Sequence, residues 1–445
     1  MGCQDRRQAA LLPPQARDKL SAMKSLILAL PLLLAASAAA QEVSLLDTSR
    51  TLRAETRAAA ADGDWEAARR TNEAALALQP GHGALLNNAL LIAGFAGDVD
   101  GQFHALERRA AAGLAFDLSG HEGAAELRQS DPERFAALET AFAAISEPVG
   151  DARRVAEPPL KDALIEALAV DSETERLFLG SVADRRIYRV EPYAPEEAEI
   201  FAGDETPIGS VFGLAIDRRH GRLYAATGAI EGVTSIGEGE AVGTALLALD
   251  LETGALIERY TLDGAVRMGD VFVRDGIVLV ADAEAGRIYR LNGPDAELAL
   301  YAEDPRFESL QGIISTRGAV FVVDYALGLW RIDPVDRAAA LMATPPGASL
   351  IGLDGLAVDR AGRVFVIRNG AAPRGLFELT FDFDNQLTAM TAVLTGDDRL
   401  VEPVTVRLTD GRAFVINDAQ WRFFEGEGAD PSARTEPQIL SVALP

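Results

Sequence analysis

Two hydrophobic periodicities divide the chain. From about Val43 to Ala144, apolar residues recur three and four positions apart, alanine is abundant and β-branched runs are absent. That spacing predicts amphipathic helices. From Lys161 onward the period falls to two, and short apolar runs alternate with charged turns, which predicts strands.

Within the strand region one phrase recurs six times. A polar or small residue precedes an apolar run, a charged turn follows, and a second apolar run comes after it. The copies are Glu166-Ala-Leu-Ala-Val-Asp…Arg176-Leu-Phe-Leu-Gly, Gly213-Leu-Ala-Ile-Asp…Arg222-Leu-Tyr-Ala-Ala and Asp270-Val-Phe-Val…Ile277-Val-Leu-Val-Ala. Gln311-Gly-Ile-Ile…Ala319-Val-Phe-Val-Val, Asp354-Gly-Leu-Ala-Val-Asp…Arg363-Val-Phe-Val-Ile and Glu402-Pro-Val-Thr-Val…Arg412-Ala-Phe-Val-Ile complete the set. A third strand also repeats, as in Arg186-Ile-Tyr-Arg-Val, Arg287-Ile-Tyr-Arg-Leu and Leu329-Trp-Arg-Ile. Short strands at a period of roughly 40–50 residues predict a β-propeller, here of six blades. The last third strand, Ile439-Leu-Ser-Val, ends almost at the C-terminus. Residues around 153–160 are therefore expected to supply the outermost strand of blade six and close the ring.

The fold class that follows is α+β in two domains, a helical region followed by an all-β propeller. Residues 1–40 read as a signal peptide, 41–145 as a tetratricopeptide-like helical domain, 146–160 as a Pro-rich linker with the ring-closing strand, and 161–445 as the propeller. In the helical part, Gly63-Asp-Trp65-Glu-Ala-Ala68…Ala75-Leu-Ala-Leu-Gln-Pro80 resembles the second half of a tetratricopeptide repeat. Asp131-Pro132 reads as an N-cap followed by a first-turn proline. A docking groove and a plain helical domain packed on the propeller both fit this region.

Composition narrows the function. The 445 residues carry a formal charge of −25, so nucleic acid and anionic membrane surfaces, which need basic patches, are not expected partners. Met23-Lys-Ser-Leu-Ile-Leu…Ala38-Ala-Ala40 has a basic start, a short apolar run and small residues before Gln41. It reads as a secretory signal, with the real start at Met23 and a periplasmic or secreted destination. The run is too short to span a bilayer. The single cysteine, Cys3, precedes the cleavage point, so thiol catalysis, disulfides and cysteine-ligated metal are excluded.

The first residues of the six phrases, Glu166, Gly213, Asp270, Gln311, Asp354 and Glu402, are expected to ring the channel. Carboxylates converging there would repel, and a divalent cation with oxygen ligands, Ca²⁺ or Mg²⁺, would relieve this. The second-strand ends, Ser181, Thr227, Asp282, Asp324, Asn369 and Asp418, form a wider ring that either contacts a ligand or caps turns. His220 is the only propeller histidine and falls on the opposite face. The long loop after Asp418 carries Trp421, Phe423 and Phe424, which either cover an apolar substrate or pack on the blade. The glycine run in 237–243 lacks the context of a phosphate loop. No Gly-x-Ser-x-Gly elbow exists, so metal-activated water with a carboxylate base is the catalytic route left open.

These residues resemble the calcium-dependent gluconolactonase/regucalcin-like lactonase family of six-bladed propellers, over about residues 160–445. The resemblance implies metal ligands Glu166, Gln311 and Asp354, with Asp354 also activating water. Blade four departs from the family, with Gln311-Gly where the family has Asn-Gly. Asp270 and Asn369 would orient substrate, with Asp324 and Glu402 as further substrate-side candidates. Two functions remain: a metal-dependent hydrolase of a lactone or ester, or a non-catalytic binding or scaffold protein that recognises a protein or small ligand through the helical domain and the propeller face.

Overall fold

A computed structural model describes residues 45–445, apart from 205, 237–242, 410 and 426–428. The segment read as a signal peptide, with Cys3 and Met23, lies outside the described residues, as does nearly all of the blade-two glycine run.

Six helices come first: α1 (Leu45–Ala61), α2 (Trp65–Leu78), α3 (Gly83–Phe95), α4 (Val99–Ala111), α5 (Ala124–Ser130) and α6 (Pro132–Ser146). Acidic caps start three of them. Asp64, Asp98 and Asp131 accept backbone N–H groups from Ala67, Gly101 and Arg134 at 2.9, 2.9 and 3.0 Å, satisfying amides that the first turn leaves unpaired. Pro132 occupies the first turn of α6. Successive helices pack on one another from α1 to α4. Trp65 at the start of α2 stacks on Phe95 at the end of α3, 5.1 Å between ring centres. No described helix is long and apolar enough to cross a membrane.

The strand β1 (Ala152–Ala156) follows, and then the blades, each a four-stranded antiparallel sheet. Blade one is β2 (Ile165–Val170), β3 (Leu177–Ser181), β4 (Ile187–Val190) and β5 (Glu199–Ala202). Blade two is β6 (Ser210–Asp217), β7 (Arg222–Gly228), β8 (Ala245–Asp250) and β9 (Leu256–Tyr260). Blade three is β10 (Met268–Arg274), β11 (Ile277–Asp282), β12 (Arg287–Leu291) and β13 (Leu298–Glu303). Blade four is β14 (Leu310–Thr316), β15 (Ala319–Asp324), β16 (Gly328–Ile332) and β17 (Ala339–Leu341). Blade five is β18 (Leu353–Val358), β19 (Val364–Arg368), β20 (Gly375–Phe381) and β21 (Leu387–Thr395). Blade six is β22 (Val406–Thr409), β23 (Arg412–Ile416) and β24 (Ile439–Ala443), with β1 paired antiparallel on β24 as its outermost strand.

The two-domain layout is the expected class. One feature of the pattern has a tertiary cause. The second strand of each blade is buried at nearly every position, because neighbouring blades cover both of its faces. Its sequence is therefore a continuous apolar run rather than an alternation.

The helical domain attaches through its hairpin turns. Gln79 Nε2 donates to Ala326 O at 2.7 Å, Ser349 Oγ to Gly81 O at 2.9 Å and Ala115 N to Ala372 O at 2.9 Å. Ala326 and Ala372 lie in the turns that leave the second strands of blades four and five. The helices thus rest against the rim where those strands end. Val149 pairs with Thr395 of β21, which ties the linker to blade five.

The innermost strands approach closely. A Cβ on Gly312 would lie 2.3 Å from Leu356 N, and one on Gly355 would lie 2.6 Å from Val404 O. Gly312→Ala should therefore lower unfolding free energy by about 1–3 kcal/mol. Gly243→Ala, where an added Cβ meets nothing within 4 Å, should be neutral. Guanidinium unfolding of both variants checks this, and equal midpoints would refute the close-approach account.

Candidate functional site

Strand register locates the mouth. Towards the front of blades one to five, the ladder pairs that border the inner-strand bulge are Ile165↔Ser181, Val211↔Thr227, Met268↔Asp282, Leu310↔Asp324 and Leu353↔Arg368. Each inner strand then bulges. The next residues, Glu166, Phe212, Gly269, Gln311 and Asp354, hold equivalent positions, and the Val406↔Val415 pair puts Val404 there in blade six. All six line one cavity of about 340 Å³.

This ring differs from the one expected in three blades. Glu166, Gln311 and Asp354 stand as assigned. Gly213 and Asp270 sit one residue deeper than the ring, and Glu402 two residues outward. The hydrophobic cadence aligns copies on the first apolar residue, whereas the ladder aligns them on the turn. Blades three, four and six share a two-residue turn between the first and second strands, from Arg274 to Ile277, Thr316 to Ala319 and Thr409 to Arg412. Counting back eight residues from Ile277, Ala319 and Arg412 gives Gly269, Gln311 and Val404, a signal present in the sequence.

Asp270 and Glu402 still line the cavity, with Asn369, Tyr325, Arg267 and Trp421. Asp324 does not. It lies within the ladder, and its carboxylate accepts the backbone N–H groups of Glu308, Ala326 and Leu327 at 2.8, 3.0 and 3.2 Å. It is a turn cap, which corrects its assignment to the substrate side. Asn369 lies one residue past the last paired residue of its strand, and that step carries it into the mouth.

The carboxylates crowd one another. Glu166 Oε2 accepts the indole N–H of Trp421 at 2.8 Å. Burial, then the nearby Asp354 carboxylate, pushes the Glu166 carboxyl well above its ordinary range. Asp354 Oδ2 accepts from Asn369 Nδ2 at 2.7 Å. Burial pushes the Asp354 carboxyl up to about 8, with Asp270 and Glu402 adding to it and the Asn369 hydrogen bond opposing it. Glu402 is also raised, by burial and by Asp418, while its Oε2 accepts the backbone N–H of Trp421 at 2.9 Å. The Tyr325 hydroxyl is pushed up to about 12 by burial, Asp354 and Glu402.

The turn Trp421–Phe423 therefore lies over the mouth, anchored on both Glu166 and Glu402. Phe423 and Phe424 are not part of the cavity lining and stack with Arg422 and Arg434.

Asp270 is held by a residue that cadence did not single out. Arg407 Nη2 donates to Asp270 Oδ1 at 2.6 Å, and Arg407 also donates to Leu214 O at 3.2 and 3.3 Å. This guanidinium spans the channel from blade six to blades two and three. Asp270 Oδ2 meanwhile accepts Ile313 N at 3.2 Å. Both oxygens are engaged, so Asp270 closes the floor of the cavity instead of presenting a free carboxylate to a ligand.

For a cation, the donor set is mixed. Among the described residues no three acidic, histidine or cysteine side chains are grouped so as to hold a metal. Glu166 and Asp354 supply two carboxylates whose joint ionisation is penalised. Asn369 Oδ1 is buried and has no hydrogen-bond partner, while its Nδ2 serves Asp354 and Pro403 O. The Gln311 amide nitrogen reaches Ser309 Oγ at 3.3 Å. Two carboxylates and two amide oxygens form a hard-oxygen set that fits Ca²⁺ or Mg²⁺, with the orphaned Asn369 oxygen asking for a positive partner.

Fold and site together define a six-bladed propeller with a narrow, carboxylate-lined mouth. No protein-family profile and no curated protein matches the chain. Among solved structures it is similar to regucalcin, a calcium-binding protein from Agrobacterium tumefaciens, at 16% identity over 66% of this chain and 96% of that one, TM-score 0.45. A luciferin-regenerating enzyme matches at 12% identity over 67% and 95%, TM-score 0.43. A PQQ-bound aldose sugar dehydrogenase from Streptomyces coelicolor matches at 16% over 67% and 99%, TM-score 0.45.

Two outcomes follow from the geometry. Arg407→Met strands a mostly buried Asp270 and should cost about 3 kcal/mol. The double variant Asp270→Asn/Arg407→Met should recover at least about 1 kcal/mol of it, because no charge is left uncompensated. Denaturant unfolding of the pair measures this, and a double variant no better than the single would sink it. Asp354 keeps its proton to about pH 8 in the folded chain, against an ordinary value of 3.8. With no cation present, folding stability therefore falls as pH rises between those values. The stability of Asp354→Asn relative to the parent should rise steadily from pH 5 to pH 8 in thermal melts with chelator.

Proposed function

We propose that the front mouth is a divalent-cation site at which an exported protein hydrolyses a lactone or ester. The observation that carries this reading is the convergence of Glu166, Asp354 and the unpartnered Asn369 oxygen on one cavity of about 340 Å³. Glu166, Asp354 and the amide oxygens of Gln311 and Asn369 would hold the cation. Bound there, it would polarise the substrate carbonyl and offset charge developing on its oxygen.

The protein's own groups supply the rest. Phe212, Trp421 and Tyr325 wall the cavity and exclude bulk water. Asp354 Oδ1, the oxygen not engaged by Asn369, accepts a proton from the attacking water. Glu402, whose carboxyl burial raises above its ordinary range, sits in the same mouth, and the departing alkoxide takes its proton from there. The acyl C–O bond breaks, and the products are a carboxylate and an alcohol, joined in one molecule when the substrate is a lactone.

A second reading, a non-catalytic binder, is favoured by the floor of the site. Apolar Phe212 and Val404 occupy two of the six ring positions, and Arg407 engages Asp270. In that reading the cation and cavity capture a small ligand, and the helical domain engages a protein partner.

Calcium at a hundredfold excess over its Kd should stabilise the full-length chain by about 2.7 kcal/mol, seen as a raised Tm. Glu166→Gln should remove most of that gain. A screen of aliphatic and sugar lactones should show turnover that Asp354→Asn abolishes. Stabilisation without turnover selects the binding reading. No stabilisation by calcium or magnesium, with no metal found in the purified protein, defeats both cation-dependent readings.

A further inference from the structure

The channel opens again at the rear, and there the charge reverses. A cavity of about 490 Å³ is lined by Arg218, Arg274, Arg360 and Arg363, with Asp359 as the one acid among the described residues that line it. In a chain of net charge −25, this is a concentration of like charge at a single opening. The guanidinium groups are not equivalent. Arg218 is spent on Asp171 and Glu173, and Arg363 on Asp359. Arg274 meets only backbone carbonyls, Ser315 O at 3.0 Å and Asp359 O at 3.4 Å, and its guanidinium lies 5.5 Å from the Phe272 ring centre. Arg360 is exposed and makes no ion pair among the described residues.

The walls behind these cations are apolar. Val170, Ile216, Val358 and Leu408 line the rear mouth and also an adjoining inner chamber of about 190 Å³. Arg407 stands at the far end of that chamber, where its bridge to Asp270 separates it from the acidic front cavity. The rear half of the channel is thus a tube with apolar sides and two uncompensated guanidinium groups at its opening.

We propose that the rear mouth binds an amphipathic monocarboxylate, with its head at Arg274 and Arg360 and its apolar tail along the inner chamber. A planar guanidinium matches a carboxylate with paired N–H groups. The Asp359 carboxylate at the same rim weighs against a doubly charged phosphate head. The apolar walls supply the driving force for a tail of several carbons, and a short acid could not use them. This site is separate from the front mouth, and the proposal does not rest on the reading given to that mouth.

Calorimetric titration of the full-length protein with octanoate, acetate and octanol tests it. Octanoate should bind at one site, with acetate and octanol each at least about tenfold weaker. Arg360→Ala, which alters an exposed side chain with no ion pair, should weaken octanoate about tenfold, and Arg274→Met by a similar factor. Asp354→Asn, at the front, should leave octanoate binding unchanged. Absence of octanoate binding overturns the proposal. So does acetate binding as tightly as octanoate, octanol binding as tightly as octanoate, or affinity indifferent to both arginine variants. Loss of octanoate binding in Asp354→Asn would assign the ligand to the front mouth and equally overturn it.

Discussion

The antiparallel pairing of β1 with β24 is the constraint on which the molecule depends. A propeller blade buries both faces against its neighbours, so an open ring would leave two blades with bare apolar faces and unpaired strand edges. Residues from the start of the domain join the last blade and remove that opening. The same segment continues back to Val149, bridged to Thr395, so the ring closure also tethers the helical domain beside blade five. Closure brings the inner strands together around the axis. That crowding explains the glycines at 312 and 355, each facing the backbone of the next blade.

The channel has an electrostatic order that no single blade contains. At the front, Glu166, Asp354 and Glu402 share a small buried volume; Asp354 and Glu402 raise the cost of ionising Glu166, and Glu402 that of ionising Asp354. At the rear, arginines predominate over apolar walls. Between them stands one ion pair, Arg407 with Asp270, drawn from blades facing each other across the axis. Its partners are more than a hundred residues apart, and its position divides an acidic chamber from a basic one. The helical domain adds to this asymmetry by resting on the front rim, close to the turns that deliver Tyr325 and Asn369.

The mouth was partly legible in the sequence. Glu166, Gln311 and Asp354 could be placed because a polar residue directly before an apolar run stands out. Phe212, Gly269 and Val404 could not be placed by that rule, since apolar residues or glycine at a ring position look like part of the strand. Only counting back from the two-residue turns recovers Gly269 and Val404. Asp324 and Asn369 end corresponding strands, but one carboxylate is consumed by three turn amides while the amide one step further reaches the cavity. Trp421 was visible as a loop aromatic, yet its contact with Glu166 joins residues 255 positions apart.

The sequence by itself determined the number of blades, the order of helical and strand regions, the Asp131 cap of the last helix and the chemical type of the residues before each run. These follow from local periodicity and from hydrogen bonding within a few residues. Tertiary structure decided which of those residues share a cavity, which carboxylates are neutralised by a distant arginine and which hold their protons. Those properties depend on burial and on distances across the channel, and they exist only once six blades have closed around one axis.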